Sequence, residues 1–184
     1  GVERMMRDAR ITKVFEGASE IMHLFIAREA VDKHLQVAGA MVDPEAPLSK
    51  KLAALPKAIA FYAIWYPTRW LGYADFPRYV RHYGKLAGHM QFVEHNTRKL
   101  ARQIFHGMVV YQGKLQHKQV FLFRIVDIAM ELFAMSCVLR RTRTLCTRPL
   151  IAPLNARDLA DIFCKSSRRK VRQLFRDLWR NDDD

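Results

Sequence analysis

From Val120 to about Thr142 apolar residues point in nearly every direction of a helical wheel, with Arg124, Asp127 and Glu131 gathered on one narrow stripe. A helix that is apolar almost all round has to be enclosed by other helices, so this stretch predicts a bundle built around itself. The stripe is then solvated or paired. Two carboxylates at i,i+4 could serve acid–base chemistry, but Arg124 three residues before Asp127 favours a structural ion-pair ladder. The same charges argue against a membrane-spanning helix.

The remaining segments read as helices too. Leu48–Tyr66 is amphipathic, with Pro56 expected to kink or break it. Residues 58–66 are continuously apolar and stop at Pro67, yet a bilayer crossing takes about 20 residues. A long helix is predicted from about Arg78 to Tyr111, weakened by about 1 kcal/mol at each of Gly84, Gly88 and Gly107. The chain turns near Gly113. A last helix is expected after Asn155 as N-cap, with Leu159, Ile162, Phe163, Leu174, Phe175 and Leu178 on its apolar face. No strand pair or internal repeat is visible, so the expected fold class is all-α, a helical bundle.

Function classes narrow next. The net charge of +13 invites an acidic partner. The basic residues are spread along the chain, however, and no zinc-finger, homeodomain, RNP or glycine-rich phosphate-loop pattern occurs, so nucleic acid is not the expected partner. Three cysteines, Cys137, Cys146 and Cys164, lack CxxC spacing and read as buried thiols of a reducing compartment. Seven scattered histidines give no metal-binding spacing, so no metal is expected. Between Phe61 and Tyr83 aromatic rings alternate with Arg69, Arg78 and Arg81. That composition suits either core packing at a joint or the headgroup layer of a membrane.

One stretch carries chemistry. From Arg7 to Ile21 the residues suggest an extended lead-in, then Glu16, Gly17, a cap at Ser19 and a helix running to about residue 37 with a stop near Gly39. Glu16 sits on the loop before that helix, a common place for a positioned reactive group, although on physics alone a partly exposed loop or capping role is the favoured reading. Arg7-Asp8-Ala9-Arg10, Phe15-Glu16-Gly17-Ala18-Ser19-Glu20-Ile21 and Ile26-Ala27-Arg28 resemble the C-terminal signature of acyl-CoA dehydrogenases. Phe15 before the glutamate resembles the very-long-chain branch. Gln119-Val120-Phe121-Leu122 and Asp127-Ile128-Ala129-Met130-Glu131-Leu132-Phe133-Ala134-Met135 are similar to a helix of that same branch. Ala18 departs from the family's usual threonine and removes a hydroxyl, with Ser19 beside it as a substitute.

The resemblance implies a function. Such enzymes place a trans double bond between Cα and Cβ of a fatty acyl thioester with FAD as cofactor. Glu16 would be the catalytic base, Gly17 would lie against the substrate thioester, and Ala18, Ser19 and Glu20 would approach the cofactor. It also implies a fatty acyl-CoA substrate, electron-transfer flavoprotein as electron acceptor, and a homo-oligomer, a dimer being favoured. Peripheral membrane contact is a further option. Because the signature lies late in such enzymes, the sequence reads as a C-terminal fragment, inactive alone. Residues 1–39 would close the family's C-terminal helical domain, 40–47 with Pro44 and Pro47 would be a linker, and 48–184 an appended helical domain. The location would be cytoplasmic in a bacterium and mitochondrial in a eukaryote. The alternative is a non-catalytic helical module for membrane docking or assembly.

Overall fold

A computed structural model of the chain describes residues 1–11, 18–43, 45–71, 76–147 and 155–180. These residues hold seven α-helices: α1 (Val2–Ile11), α2 (Ser19–Val42), α3 (Leu48–Thr68), α4 (Phe76–Tyr83), α5 (Ala87–Tyr111), α6 (Gln119–Cys146) and α7 (Ala156–Asp177). Short 3-10 turns at Gly84–Leu86 and Gln112–His117 flank α5. No strand occurs among the described residues, and the all-α expectation holds.

The apolar stretch is the hub, as its composition demands. Helix α6 buries Phe121, Leu122, Ile125, Val126, Ile128, Leu132, Met135 and Leu139, and packs against α7, α5 and α2. Ala27 from α2, Val93 and Leu100 from α5, and Ala160, Cys164 and Val171 from α7 complete that core. Each large side chain buried there contributes about 1.5–3 kcal/mol relative to exposure. A smaller core of Val37, Ala38 and Ala58, with Phe61 and Tyr62 against it, joins α2 to α3. Gly107 allows α5 to close on α6: a Cβ there would stand 2.5 Å from the ring of Phe121.

Several local expectations change. Residues 7–11 are helical rather than extended, inside α1, whose i,i+4 pairs Arg7–Glu3 (2.9 Å) and Arg4–Asp8 (3.8 Å) lie in solvent. The helix expected over 78–111 is two helices, because Gly84 takes φ +54°, a conformation open to glycine and costly for other residues. Helix α3 continues through Pro56 and ends one residue past Pro67. A proline removes one hydrogen bond of the ladder, and here the packing of Ala58, Phe61 and Tyr62 on α2 outweighs that loss. Helix α2 passes Gly39 and stops at Val42, where the Asp43 N–H donates back to the Gly39 carbonyl (3.0 Å). Asn155 is the N-cap of α7 as expected, though its side chain makes no capping hydrogen bond.

The aromatic segment resolves mostly into packing. His34, Tyr62, Trp65 and Phe105 pack ring to ring, with His34 and Tyr62 stacked at 5.7 Å and His34 and Trp65 edge-on at 4.8 Å. Arg102 lies over Trp70 at 3.9 Å and donates to the Arg69 carbonyl, while Arg98 donates to the Thr68 carbonyl at 2.9 Å. Two cations thus meet the carbonyl end of α3, where the helix dipole favours them. Tyr73 lies outside the described residues.

Candidate functional site

The Glu16-Gly17 motif immediately precedes α2 in the sequence. Glu16 and Gly17 lie outside the described residues; Ala18, Ser19 and Glu20 lie within them. Ser19 is not the cap. Ala18 is, with extended dihedrals (φ −61°, ψ 149°), so Ser19 is already the first helical residue and no side chain caps the end. The first intrahelical bond runs from the Met22 N–H to the Ala18 carbonyl at 3.2 Å. Ser19, Glu20 and Ile21 make up the first turn of α2, where helix amides have no partner within the helix itself. Ala18 and Glu20 are exposed and Ser19 is half-buried. This open turn, with donors aimed along the axis and the positive end of the dipole, suits an anionic group such as a phosphate. The chain brings Ala18, Ser19 and Glu20 into one turn.

One turn further, His23 ties α2 to the hub. Its Nδ1 is 2.6 Å from the Ser19 carbonyl oxygen, its Nε2 is 3.0 Å from Oδ1 of Asp127 on α6, and the Phe123 ring lies tilted at 5.2 Å. Burial works to lower its pKa, but the Ser19 carbonyl, Asp127 and Glu20 outweigh that and hold His23 above the ordinary imidazole value. Asp127 is thus not a rung of an intrahelical ladder. Nor are its stripe neighbours: Glu131 accepts from Lys170 of α7 at 3.0 Å, and Arg124 donates to the carbonyls of Asp177, the last residue of α7, and of Arg180 beyond it. Sequence reasoning missed His23 and Asp127 as partners, since 104 positions separate them.

The other titratable groups are structural. His34 is buried, shares a 2.9 Å hydrogen bond with the Tyr62 hydroxyl, and is pushed down by burial. His89 contacts Asp161 at 2.8 Å; Lys165 first, and then His89, holds that carboxylate below its usual range. Of the three thiols only Cys164 is buried, and burial raises it to about 11; Cys146 is half-exposed and Cys137 exposed, contrary to the expectation of buried thiols. Among the described residues no cluster of His, Cys, Asp or Glu could hold a metal ion, and no helix is long and apolar enough to cross a membrane. An open apolar cleft of about 530 Å³ runs beside α2, lined by Leu24, Ala27, Val31 and Leu35 on one side and Met108 and Leu122 on the other.

Comparison with known proteins gives the kinship. The chain is 47% identical over 182 residues to the probable acyl-CoA dehydrogenase FadE10 of Mycobacterium tuberculosis, covering 99% of this chain and 28% of that protein. It is 26% identical over 190 residues to the very long-chain specific acyl-CoA dehydrogenase, mitochondrial, of Homo sapiens, again covering 99% of this chain and 28% of the relative. The macaque protein of that name (Macaca fascicularis) is 27% identical over 187 residues, 94% of this chain and 26% of the relative. The chain thus spans little more than a quarter of the length of these relatives. No solved structure gives a significant match. Residues 84–184 match the family described as ACAD9/ACADV, C-terminal domain. That span is more than half of the sequence and takes in the hub helix α6, so the chain belongs to the ACAD9/ACADV C-terminal domain family.

Proposed function

We propose that this chain is the C-terminal part of an acyl-CoA dehydrogenase in which Glu16 removes the Cα proton of a long-chain fatty acyl-CoA. The observation that carries the reading is the Glu16-Gly17 pair, set directly ahead of α2, in a chain aligned over 99% of its length with a protein named a probable acyl-CoA dehydrogenase. The Cα proton of a thioester is weakly acidic, so the base must be poised and the developing enolate stabilised. A carboxylate in an apolar, water-poor site gains the basicity the step needs. Gly17, without a Cβ, would let the thioester approach closely.

The open first turn of α2 fits an anionic cofactor such as FAD: the Ser19 and Glu20 amides would hold part of it, with Ala18 adding no side-chain bulk beyond a methyl. When bound, FAD would supply the acceptor for the hydrogen leaving Cβ. The reading carries with it fatty acyl-CoA as substrate, electron-transfer flavoprotein as electron acceptor, a homodimer, and a bacterial cytoplasmic or mitochondrial location. It also divides the chain into 1–39, the linker 40–47 and an appended domain 48–184. The test is Glu16→Gln in the complete enzyme, which should abolish dehydrogenation while flavin stays bound. Near-normal turnover would sink the assignment.

A second reading, peripheral membrane contact, is favoured by α3. Leu48, Leu52, Leu55 and Ile59 recur at four-, three- and four-residue steps and are all exposed, with Lys50 and Lys57 on the same helix. An apolar stripe beside cations is the composition of a helix lying at a lipid surface. Sedimentation with anionic vesicles should fall when Leu52 and Ile59 are both changed to Glu; unchanged sedimentation would reject the stripe as the contact. Trp70, 60% exposed, is a cleaner probe than Trp65, which is held in the ring cluster.

A further inference from the structure

The partners of His23 define its charge. A backbone carbonyl and a carboxylate only accept hydrogen bonds, so the 2.6 Å contact to Ser19 and the 3.0 Å contact to Asp127 both require a proton on the ring nitrogen. A ring that donates from both nitrogens is imidazolium. The groups acting on it are Asp127 from α6 and Glu20 from its own helix, with the neutral Phe123 ring alongside.

The location of this cation matters as much as its charge. Among the described residues, His23–Asp127 is the most N-terminal hydrogen bond from α2 to another helix. Leu24 and Ala27 pack on the hub core, but ahead of them Ala18 to His23 include no buried residue, so the first turn of α2 lies beyond the last apolar anchor of this end of the helix. Ile128, next to Asp127, is fully buried on the hub helix, which makes the carboxylate a fixed anchor. The Ser19 carbonyl that His23 grips belongs to the first residue of α2, three positions after Glu16.

We infer that His23 is a positioning residue: as imidazolium it clamps the first turn of α2, which follows Glu16 by three residues in the sequence, to Asp127 of α6. The inference rests on the reading of Glu16 as the base. No bond is made or broken by the clamp; a proton held on the ring keeps both contacts, and its loss releases one of them. As pH rises through the elevated pKa of His23, the turn loosens and turnover falls. Glu16 works in the opposite sense, because it has to be ionised and so governs the acid side. The two limbs of the pH profile are therefore separable.

The experiment uses the complete flavin-loaded enzyme with His23→Gln, Asp127→Asn and His23→Arg. Displacing a base by about 1 Å can cost about 100-fold in rate. His23→Gln and Asp127→Asn should lower kcat by about 10- to 100-fold with KM changed by less than about threefold, while His23→Arg, a permanent cation, should restore most of kcat and abolish the alkaline fall. Amide hydrogen exchange provides a readout apart from activity: Ser19–Met22 should exchange faster in His23→Gln and Asp127→Asn, and α6 should stay protected. Wild-type kcat and exchange in His23→Gln would overturn the clamp, and so would an alkaline fall that persists in His23→Arg. A Glu16→Gln enzyme that still turns over would overturn the base instead, leaving the exchange result to judge the clamp by itself.

Discussion

Replacing Gly107 with alanine pits two effects of known size against each other. In a helix interior alanine is favoured over glycine by about 1 kcal/mol, so local propensity says Gly107→Ala stabilises. The structure says otherwise. A Cβ at 107 would lie 2.5 Å from both Cε1 and Cζ of Phe121, closer than non-bonded carbons approach. Phe121 is fully buried, with Tyr111 at 5.4 Å and Trp179 at 5.1 Å between ring centroids, so its ring has little room to swing away. Overpacking a core typically costs about 1–3 kcal/mol, and subtracting the propensity gain leaves a loss of up to about 2 kcal/mol. In a chain of this size that lowers Tm by about 2–4 °C per kcal/mol. Gly88, exposed on the same helix with nothing within 4 Å of its would-be Cβ, is the control, and Gly88→Ala should hold or raise Tm. Differential scanning calorimetry of the two variants, with exchange of α5 and α6 amides to localise the effect, decides the matter. Stabilisation by both substitutions would refute the close approach of α5 and α6. Gly107→Ala combined with Phe121→Leu should recover part of the loss.

Other predictions concern charge and reactivity. His34 is buried with its pKa pushed below the ordinary value, so the unfolded chain binds a proton more readily than the folded one as pH drops below about 6.5. Stability should fall through that window, and His34→Phe should remove part of the dependence in urea titrations at pH 5 and pH 8. Arg102→Ala removes a buried charged donor from the Arg69 carbonyl and the cation over Trp70; a loss of about 1.5–3 kcal/mol and a red shift of tryptophan emission are expected. Iodoacetamide at pH 7.5 should modify Cys137 and leave Cys164, whose thiol is fully buried and raised to about 11, unlabelled until the chain unfolds.

Fold class was readable because the strongest signal needed no partner. A helix apolar on nearly every side, like 119–146, can be satisfied only by neighbours, and composition alone conveys that. Details set by partners were not readable. Gly107 is visible in the sequence as a weak helix residue, but its role depends on a ring 14 positions away on another helix. Pro56 looks like a break because propensity counts the lost hydrogen bond and cannot count the packing of α3 on α2. Ser19 looks like a cap from its side chain, whereas the cap is fixed by which residue takes extended dihedrals, and that is Ala18. At the site, the residue order around Glu16 was legible as a motif. The contact between His23 and Asp127 was not, since nothing local marks the two as a pair.

The polar stripe of α6 shows why a helix otherwise so apolar keeps three charges. Arg124, Asp127 and Glu131 each reach a different target: the carbonyl end of α7, His23 one turn into α2, and Lys170 on α7. Such partly exposed pairs are worth about 0–1 kcal/mol each, small beside the apolar surface that α6 buries. Stability therefore does not explain them. Their geometry does, because apolar surfaces can slide by a turn at modest cost, while a directional hydrogen bond is met in one register only. Arg124 and Glu131 hold α7 at two heights along the hub, and Asp127 holds the start of α2. If Glu16 is the base proposed above, changing Asp127 should move turnover far more than Tm, because a contact worth about 0–1 kcal/mol lowers Tm little.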